Sequence, residues 1–239
     1  MIYLGSKRRI AKYIIPIILK DRCLDQWYVE PFCGGCNLIS LVPTGIGKIA
    51  NDINVPLISL LTAIKDGWVP PDFVSEDEYQ AAKTLDDDNP LKGFIGFGCS
   101  FASKWFGGYA RNVKIGTPNA ERVRNYGYGS KLALLKQAPL LSGITFTSGN
   151  YYDVDIPPRS VVYCDPPYLN TTGYKVKFNH PEFYDWCELQ HNNGHKVFIS
   201  EYDMPSDRFT KLWERQIVTN VTSRNAVKRP TECLFSVKG

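Results

Sequence analysis

Two consecutive prolines, Pro166 and Pro167, end the apolar run 160–164 (Ser-Val-Val-Tyr-Cys), and they constrain the fold more than any other feature of the chain. The run predicts a buried strand, and the prolines fix the shape of the loop that follows it. Because proline has no backbone N–H, carbonyls of this loop stay free to accept hydrogen bonds. The Asp165 carboxylate and the Pro166 carbonyl can then hold the two N–H groups of an exocyclic amine, while Tyr168 stacks on its ring. The alternative interpretation is an ordinary turn with a packed tyrosine.

A second turn, residues 32–36 (Phe-Cys-Gly-Gly-Cys), lies between a predicted strand and a helical pattern that begins at Asn37. Small residues in such a turn let a cofactor approach the backbone at a helix N-terminus. Asp52 follows the next predicted strand, where an acid that binds a ribose hydroxyl lies in folds of this type. The turn lacks the G-x-G-x-x-G fingerprint, which disfavours a dinucleotide. A plain strand–helix turn is the alternative.

Cys33 and Cys36 also form a C-x-x-C pair, which we interpret as two small space-filling residues. A redox pair and half of a zinc site are the alternatives. The chain has no second C-x-x-C, and its three histidines show no ligand spacing with this one, so we expect no metal. Seven cysteines, an odd number, predict free thiols. The chain also lacks a signal-peptide pattern and an apolar run of about 18 residues, so we expect a cytoplasmic protein without a membrane span.

Strands and helices alternate at both ends of the chain, which predicts an α/β fold with a doubly wound sheet. We expect residues 1–66 and 141–239 to form this catalytic domain and residues 67–140 to form an insert, because the pattern changes near residue 67. The predicted strands are 27–30, 48–50, 144–147, 160–164, 197–200, 215–222 and 232–238. The predicted helices are 10–20, one that starts at residue 37, 55–66, 75–85, 119–137, 181–193 and 206–214.

Basic and aromatic residues alternate over residues 104–126 of the insert. Cations suit phosphates and guanine edges, asparagines suit adenine edges, and aromatic rings can wedge or stack, so we expect the insert to bind DNA. A basic loop at 224–229 is a second candidate. The candidate DNA-binding residues are Lys104, Arg111, Asn112, Arg122, Arg124, Asn125, Arg224 and Lys228. The alternative for the insert is a solvated helix face over a small aromatic core, and we expect Phe94, Phe97 and Phe101 in that core.

Taken together and in this order, the motifs resemble those of Dam-like DNA adenine-N6 methyltransferases, and the compact aromatic insert is similar to the phage and prophage versions. The resemblance covers most of the chain. It rests on Tyr3-Leu4-Gly5-Ser6-Lys7, Glu30-Pro31-Phe32-Cys33-Gly34-Gly35, Asp52-Ile53-Asn54, the run 160–168 and Val197-Phe198-Ile199-Ser200.

This resemblance implies a Rossmann-like methyltransferase fold with a mixed doubly wound sheet and a mainly helical target-recognition insert. It implies transfer of a methyl group from S-adenosylmethionine, which leaves S-adenosylhomocysteine, to N6 of a flipped-out adenine in double-stranded DNA, without a metal. Asp165 and Tyr168 would hold the adenine, with Asp165 also near the methionine amino group. The residues that would contact the cofactor are Tyr3, Lys7, Phe32, Gly34, Asp52, Asn150 and Asp165.

The chain departs from the family pattern at two positions. Cys36 stands where the family usually has a third glycine, and Asn150 stands where it often has an acid that binds the cofactor's adenine amine. Cytosine-N4 methylation remains an alternative because both targets are exocyclic amines, and the departure at Asn150 leaves open a DNA-binding protein that has lost methyl transfer. A GATC-like site follows only from family analogy. We expect a monomer in solution, with a dimer on DNA left open.

Overall fold

The computed structural model describes residues 1–111, 113–115, 122–124, 126–169, 178–216 and 231–239, and it gives only the backbone of 113–115 and 122–124. The main sheet is made of β1 (Tyr28–Glu30), β2 (Lys48–Asp52), β5 (Ile144–Ser148), β6 (Val161–Cys164), β7 (Lys196–Glu201), β8 (Phe209–Gln216) and β9 (Thr231–Val237). A separate antiparallel hairpin pairs β3 (Val113–Ile115) with β4 (Arg122–Arg124).

The seven strands lie in the order β5-β2-β1-β6-β7-β9-β8. The pairs from β5 to β7 are parallel, and β9 runs antiparallel to both of its neighbours. The chain builds the sheet outward from β1 on one side and then from β6 on the other. The strand order therefore reverses between β1 and β6, and ligands of doubly wound sheets bind at the carboxyl ends of the strands at such a point.

The helices cover the sheet and bury its apolar residues. They are α1 (Ala11–Ile18), α2 (Val55–Lys65), α3 (Glu76–Ala81), α4 (Pro90–Gly93), α5 (Tyr126–Gln137) and α6 (His180–Asn192). Their N-termini follow local sequence signals: Ser75 and Glu78 form a capping box at α3, and Asn54 and Asn179 cap α2 and α6. No helix within the described ranges is long and apolar enough to cross a membrane.

Residues of the 67–140 segment share a core with the α/β part. Tyr79 and Phe94 are fully buried in the same cluster as Ile14 of α1 and Leu57 of α2. Helix α4 lies so close to α2 that a Cβ on Gly93 would be 2.1 Å from the Pro56 carbonyl oxygen. A second cluster lies between α6 and strands β6, β7 and β9.

The predicted α/β doubly wound sheet is confirmed, but four local predictions are wrong. Residues 206–214 were expected to be helical, whereas 209–216 form the edge strand β8, so only 215–216 of the predicted strand 215–222 lie in a described strand. The spacing of Phe209, Leu212 and Trp213 imitates a helix because a bulge between Lys211 and Trp213 shifts the register.

Residues 122–124, predicted as helix, pair with β3 instead, and the helix begins only at Tyr126. The turn at residues 32–36, which we call the cofactor turn, is followed by a 3-10 turn at Ile39–Leu41 and not by the predicted α-helix. The reason is that Cys36 has a φ of +52° and Val42 is extended before Pro43. Phe101 is also wrong as a core residue: it is 68% exposed, whereas Phe94 and Phe97 are buried as predicted.

Candidate active site

The turn after β1 and the loop after β6 lie side by side, because these two strands are neighbours at the reversal of strand order. The first contains the predicted cofactor turn and the second contains Asp165-Pro166-Pro167-Tyr168, the tetrapeptide. Two motifs more than 120 residues apart in sequence, as the numbering of Gly34 and Asp165 shows, thus meet at one edge of the sheet.

The cofactor turn has a backbone that only a small residue fits. Gly34 has a φ of +47°, and a Cβ on it would lie 2.7 Å from Cε1 of Tyr3. Tyr3 therefore lies over the turn, where its ring also contacts Phe97 at 5.4 Å between centroids. The Gly34 N–H donates to Oδ2 of Asp52 at 3.0 Å, so the predicted ribose acid also fixes the turn.

Asp52 keeps part of its hydrogen-bonding capacity for a ligand. Its Oδ1 accepts from the Asn54 N–H at 3.0 Å, and Gly34 occupies Oδ2. A carboxylate offers about four acceptor positions, so further bonds can form. Burial raises the pKa of Asp52, while the two backbone N–H groups favour its ionised form. These features fit a ribose hydroxyl.

Asn51, a residue that the sequence reasoning missed, joins three segments of the site. Its buried amide donates to the Pro31 carbonyl at 3.1 Å and to the Gly149 carbonyl at 2.9 Å, and its Oδ1 accepts from the Thr147 hydroxyl at 3.0 Å. The cofactor turn is thereby tied to the loop that contains Asn150. The Asn150 side chain has no hydrogen bond to another residue in the described part of the chain, so its amide is available to a ligand.

Phe32 begins an aromatic cluster on the other side of the turn. Its ring stacks on Tyr151 at 5.1 Å and meets Phe178 and Phe183 edge-on at 5.8 and 5.6 Å. Phe32 is only partly buried, so a face of this cluster can pack against a ligand ring.

Lys7 and Asp165 form the central ion pair of the site. The Lys7 ammonium lies 3.0 Å from Oδ1 of Asp165 and 3.8 Å from Oε1 of Glu232, and it donates to the Gly5 carbonyl at 3.1 Å. Burial lowers the pKa of Lys7, but the two carboxylates outweigh burial and the net shift is upward. Burial raises the pKa of Asp165 to about 6, although Lys7 counteracts this.

The tetrapeptide keeps its predicted acceptors. The Pro166 carbonyl receives no hydrogen bond from a described residue, whereas the Pro167 carbonyl is 3.0 Å from Nε2 of His180. Tyr168 donates from its hydroxyl to Oε2 of Glu232 at 2.7 Å, and its ring lies 4.6 Å from the Lys7 ammonium. One carboxylate from β9 thus fixes both the cation and the aromatic ring of the site.

Glu201, at the end of β7, binds the backbone of the residue that follows the tetrapeptide. It is 2% exposed and accepts from the Leu169 and Tyr202 N–H groups at 3.0 and 2.8 Å. His180 lies 3.9 Å from it. Burial raises the pKa of Glu201 to about 7. The sequence reasoning missed Glu201 and Glu232, yet each is an acid within or at the end of an apolar strand, a place where an unpaired charge is rare.

The underside of the cofactor turn contacts the last helix of the 67–140 segment. Gln137 of α5 donates to the carbonyls of Gly35 and Cys36 at 3.0 Å each, and it accepts from the amino group of Met1. Asn37, which follows the turn, is buried and has no hydrogen-bond partner for either polar atom among the described residues. A buried orphaned amide beside a glycine turn fits a site that binds a polar ligand.

Cys33 and Cys36 are buried free thiols. Burial raises the pKa of both, so they are protonated, which suits packing rather than metal binding or thiolate chemistry. Within the described ranges no group of three His, Cys, Asp or Glu side chains could hold a metal ion.

Of the predicted DNA-binding residues, the structure describes Lys104 and Arg111 in full and Arg122 and Arg124 by their backbone alone. Lys104 is exposed, and Arg111 pairs with Glu76 at 2.5 Å. The backbone of Arg122 and Arg124 lies in β4. Asn112, Asn125, Arg224 and Lys228 lie outside the described residues.

Comparison with known proteins agrees with the predicted family. Residues 3–95 match the family model of the D12 class N6 adenine-specific DNA methyltransferases, a segment that holds Lys7, the cofactor turn and Asp52. A similar solved structure is SMU.472, described as a candidate methyltransferase complexed with SAH, which is 12% identical; the alignment covers 98% of this chain and 53% of that one, with a TM-score of 0.38.

This chain therefore spans about half the length of SMU.472. No curated protein matches the chain. Residues 3–95 thus match the D12 class of N6 adenine-specific DNA methyltransferases, the kind of protein that the motifs of the chain resemble.

Proposed function

We propose that this protein transfers a methyl group from S-adenosylmethionine to N6 of an adenine flipped out of double-stranded DNA. The observation that carries the proposal is the pair of acceptors at the end of β6, the Asp165 carboxylate and the free Pro166 carbonyl, beside a glycine turn at the end of β1. The D12 class family match over residues 3–95 supports the same reaction.

The two acceptors suit an exocyclic amine that must become a nucleophile. An amine conjugated to a purine ring has a delocalised lone pair and reacts poorly. Hydrogen bonds from its two N–H groups to Asp165 and Pro166 would orient the amine and stabilise the positive charge that develops on it during transfer. The proton released from N6 can pass to Asp165, because a carboxylate with a pKa of about 6 accepts a proton near neutral pH.

The surrounding residues would hold the base. Tyr168 is fixed by Glu232 on one side and lies against Tyr202 at 4.6 Å on the other, so its ring is immobilised for stacking on an extruded base. Lys7 keeps Asp165 oriented through their 3.0 Å contact. A base stacked inside a duplex is enclosed by its neighbours, so the proposed reaction requires the adenine to be flipped out toward the tetrapeptide.

The residues of the cofactor turn fit S-adenosylmethionine, which supplies a methyl group on a positively charged sulfur. Asp52 would accept from a ribose hydroxyl, Phe32 would pack against the adenine, and Asn150 would accept from its amine. Gly34 and the Tyr3 ring would enclose the methionine end near Lys7. We further propose that residues 67–140 recognise the target and that 1–66 and 141–239 perform catalysis.

Product analysis tests the proposal. Purified protein, tritiated cofactor and duplex DNA should give N6-methyladenine in the nucleoside digest. We expect Asp165→Ala to lower the rate by about a hundredfold to a thousandfold, the usual cost of losing one transition-state stabiliser. Asp207→Asn, which neutralises an exposed carboxylate, is the control and should keep the wild-type rate.

The rival functions give different products in the same assay. N4-methylcytosine would show a cytosine methyltransferase, because both targets are exocyclic amines. DNA binding without any methylated nucleoside would show a binding protein that has lost transfer. Either result would refute the proposed function.

A further inference from the structure

Four exposed basic residues lie together at the carboxyl edge of the sheet, and we name them the cation rim. Within the described part of the chain none of them forms an ion pair with an acid, whereas Arg111, Arg159 and Arg208 do. The cation rim consists of Arg8, Arg9, Lys12 and Arg215.

The cation rim borders the active site through two of its residues. Arg8 and Arg9 directly follow Lys7, the partner of Asp165, in a 3-10 turn. Lys12 lies in the first turn of α1, three residues after Arg9. On the edge strand β8, Arg215 is the register partner of Glu232, which contacts both Lys7 and Tyr168.

Aromatic rings connect the rim residue Lys12 on α1 with the rim residue Arg215 on β8. Tyr13 of α1 stacks on Trp213 of β8 with 6.1 Å between centroids. The Arg215 guanidinium lies 4.5 Å from the centre of the Tyr13 ring, and the Lys12 ammonium lies 4.9 Å from it. Glu214, which precedes Arg215 in the sequence, forms an ion pair with Lys211 at 2.7 Å. The rim cations are thus positioned but not neutralised.

We propose that the cation rim binds the phosphate backbone of the DNA duplex next to the extruded base. The proposal rests on the proposed function, since a base that reaches Asp165 brings its flanking phosphates to this edge of the sheet. Duplex DNA carries one negative charge per about 1.7 Å of axis, so several phosphates face the rim at once. Guanidinium groups bind phosphates with two parallel hydrogen bonds, which suits three arginines.

The partner is distinguished from other polyanions by the location of the rim. A surface for an acidic protein could lie anywhere on the molecule, whereas this one borders the Lys7–Asp165 pair, where the proposed function places the adenine. Phosphate contacts place a duplex without reading its sequence. The rim would therefore set the distance between the backbone and the tetrapeptide, and the 67–140 segment would read the bases.

The experiment compares alanine variants of the rim with a matched control. The variants are the double variant Arg8→Ala with Arg9→Ala, and the single variants Lys12→Ala and Arg215→Ala. The control is Lys20→Ala, which removes an exposed lysine eight residues after Lys12. Lys20 lies near the opposite edge of the sheet, because the carbonyl of the next residue, Asp21, accepts a hydrogen bond from Lys196 at the start of β7. Binding of a labelled duplex is measured from about 50 to about 200 mM salt, and S-adenosylhomocysteine binding is measured by calorimetry.

We expect each rim cation removed to reduce the slope of log affinity against log salt by about 0.9, with unchanged affinity for S-adenosylhomocysteine. Lys20→Ala should keep the wild-type slope. The rim proposal is overturned if the rim variants bind the duplex as the wild type does, if Lys20→Ala has an equal effect, or if polyglutamate competes as well as DNA. Because binding is measured without turnover, rim-dependent binding by a protein that makes no N6-methyladenine would refute only the proposed function.

Discussion

Replacing Asp165 by asparagine should stabilise the protein at neutral pH while it impairs catalysis. Burial raises the pKa of Asp165 from its ordinary value of 3.8 to about 6, and the side chain is only 21% exposed. Each pKa unit corresponds to about 1.36 kcal/mol, so a rise of 6 − 3.8, about 2.2, corresponds to about 3 kcal/mol. This free energy is the cost of keeping Asp165 ionised in the folded state, with its contact to Lys7 already included.

The pH dependence of this cost has a definite sign. An acid whose folded pKa exceeds its unfolded pKa holds its proton more tightly in the folded state. Its ionisation therefore lowers stability as the pH rises from about 4 to about 6, and the full cost remains above pH 6. Asparagine cannot ionise, so Asp165→Asn should gain about 3 kcal/mol at pH 8 and almost nothing below pH 4.

Urea unfolding at both pH values measures the gain. For 239 residues the unfolding entropy is about 0.5 kcal/mol/K, so the melting temperature at pH 8 should rise by about 6 °C. Asp207→Asn, which changes an exposed carboxylate, should show no such difference between the two pH values. If Asp165→Asn destabilised the protein at pH 8, the Lys7 contact would be worth more than the burial of the carboxylate costs, and our reasoning would be refuted.

Three further predictions concern neighbouring residues. Glu232→Gln keeps an acceptor for the Tyr168 hydroxyl but removes a negative charge that raises the pKa of Asp165. The acidic limb of the rate–pH profile should therefore move to lower pH, and an unmoved limb would contradict this electrostatic coupling. Cys36→Gly should cost less unfolding free energy than Cys36→Ala, the reverse of the usual order, because a left-handed φ of +52° costs about 1–2 kcal/mol for a residue with a Cβ, and urea unfolding of both variants decides. Asp52→Ala should weaken S-adenosylhomocysteine binding by about 1.5–3 kcal/mol while duplex binding stays normal, and calorimetry that finds unchanged cofactor affinity would remove Asp52 from the site.

The sequence predicted the parts of the site that depend on local signals. The prolines after β6, the glycines after β1 and the acid after β2 each mark a strand end, and the fold brings them together because parallel strands share one carboxyl edge. The same reasoning could not find Gln137 or Asn51, since their importance lies in bonds to the backbone of distant segments.

The errors at β8 and β4 share a physical cause. Both strands form by pairing with another strand, which the residue spacing of the segment itself does not reveal, and β8 lacks an alternating pattern of buried residues. In β8 the bulge at Lys211–Trp213 adds a residue, so the apolar spacing imitates a helix. Similarly, Glu232 was overlooked because its value to the site depends on a register that places β9 beside β7.

The contacts of Glu232 with Lys7 and Tyr168 have a consequence for the time course of folding. The catalytic cluster closes a loop from residue 7 to residue 232, and contacts between such distant positions form late. The bonds of the cofactor turn, by contrast, span shorter separations: 18 residues between Gly34 and Asp52, and 102 residues between Gly35 and Gln137. A refolding chain should therefore recover S-adenosylhomocysteine binding before it recovers methyl transfer. During synthesis the same order would leave a growing chain without methyl transfer until β9 has paired with β7.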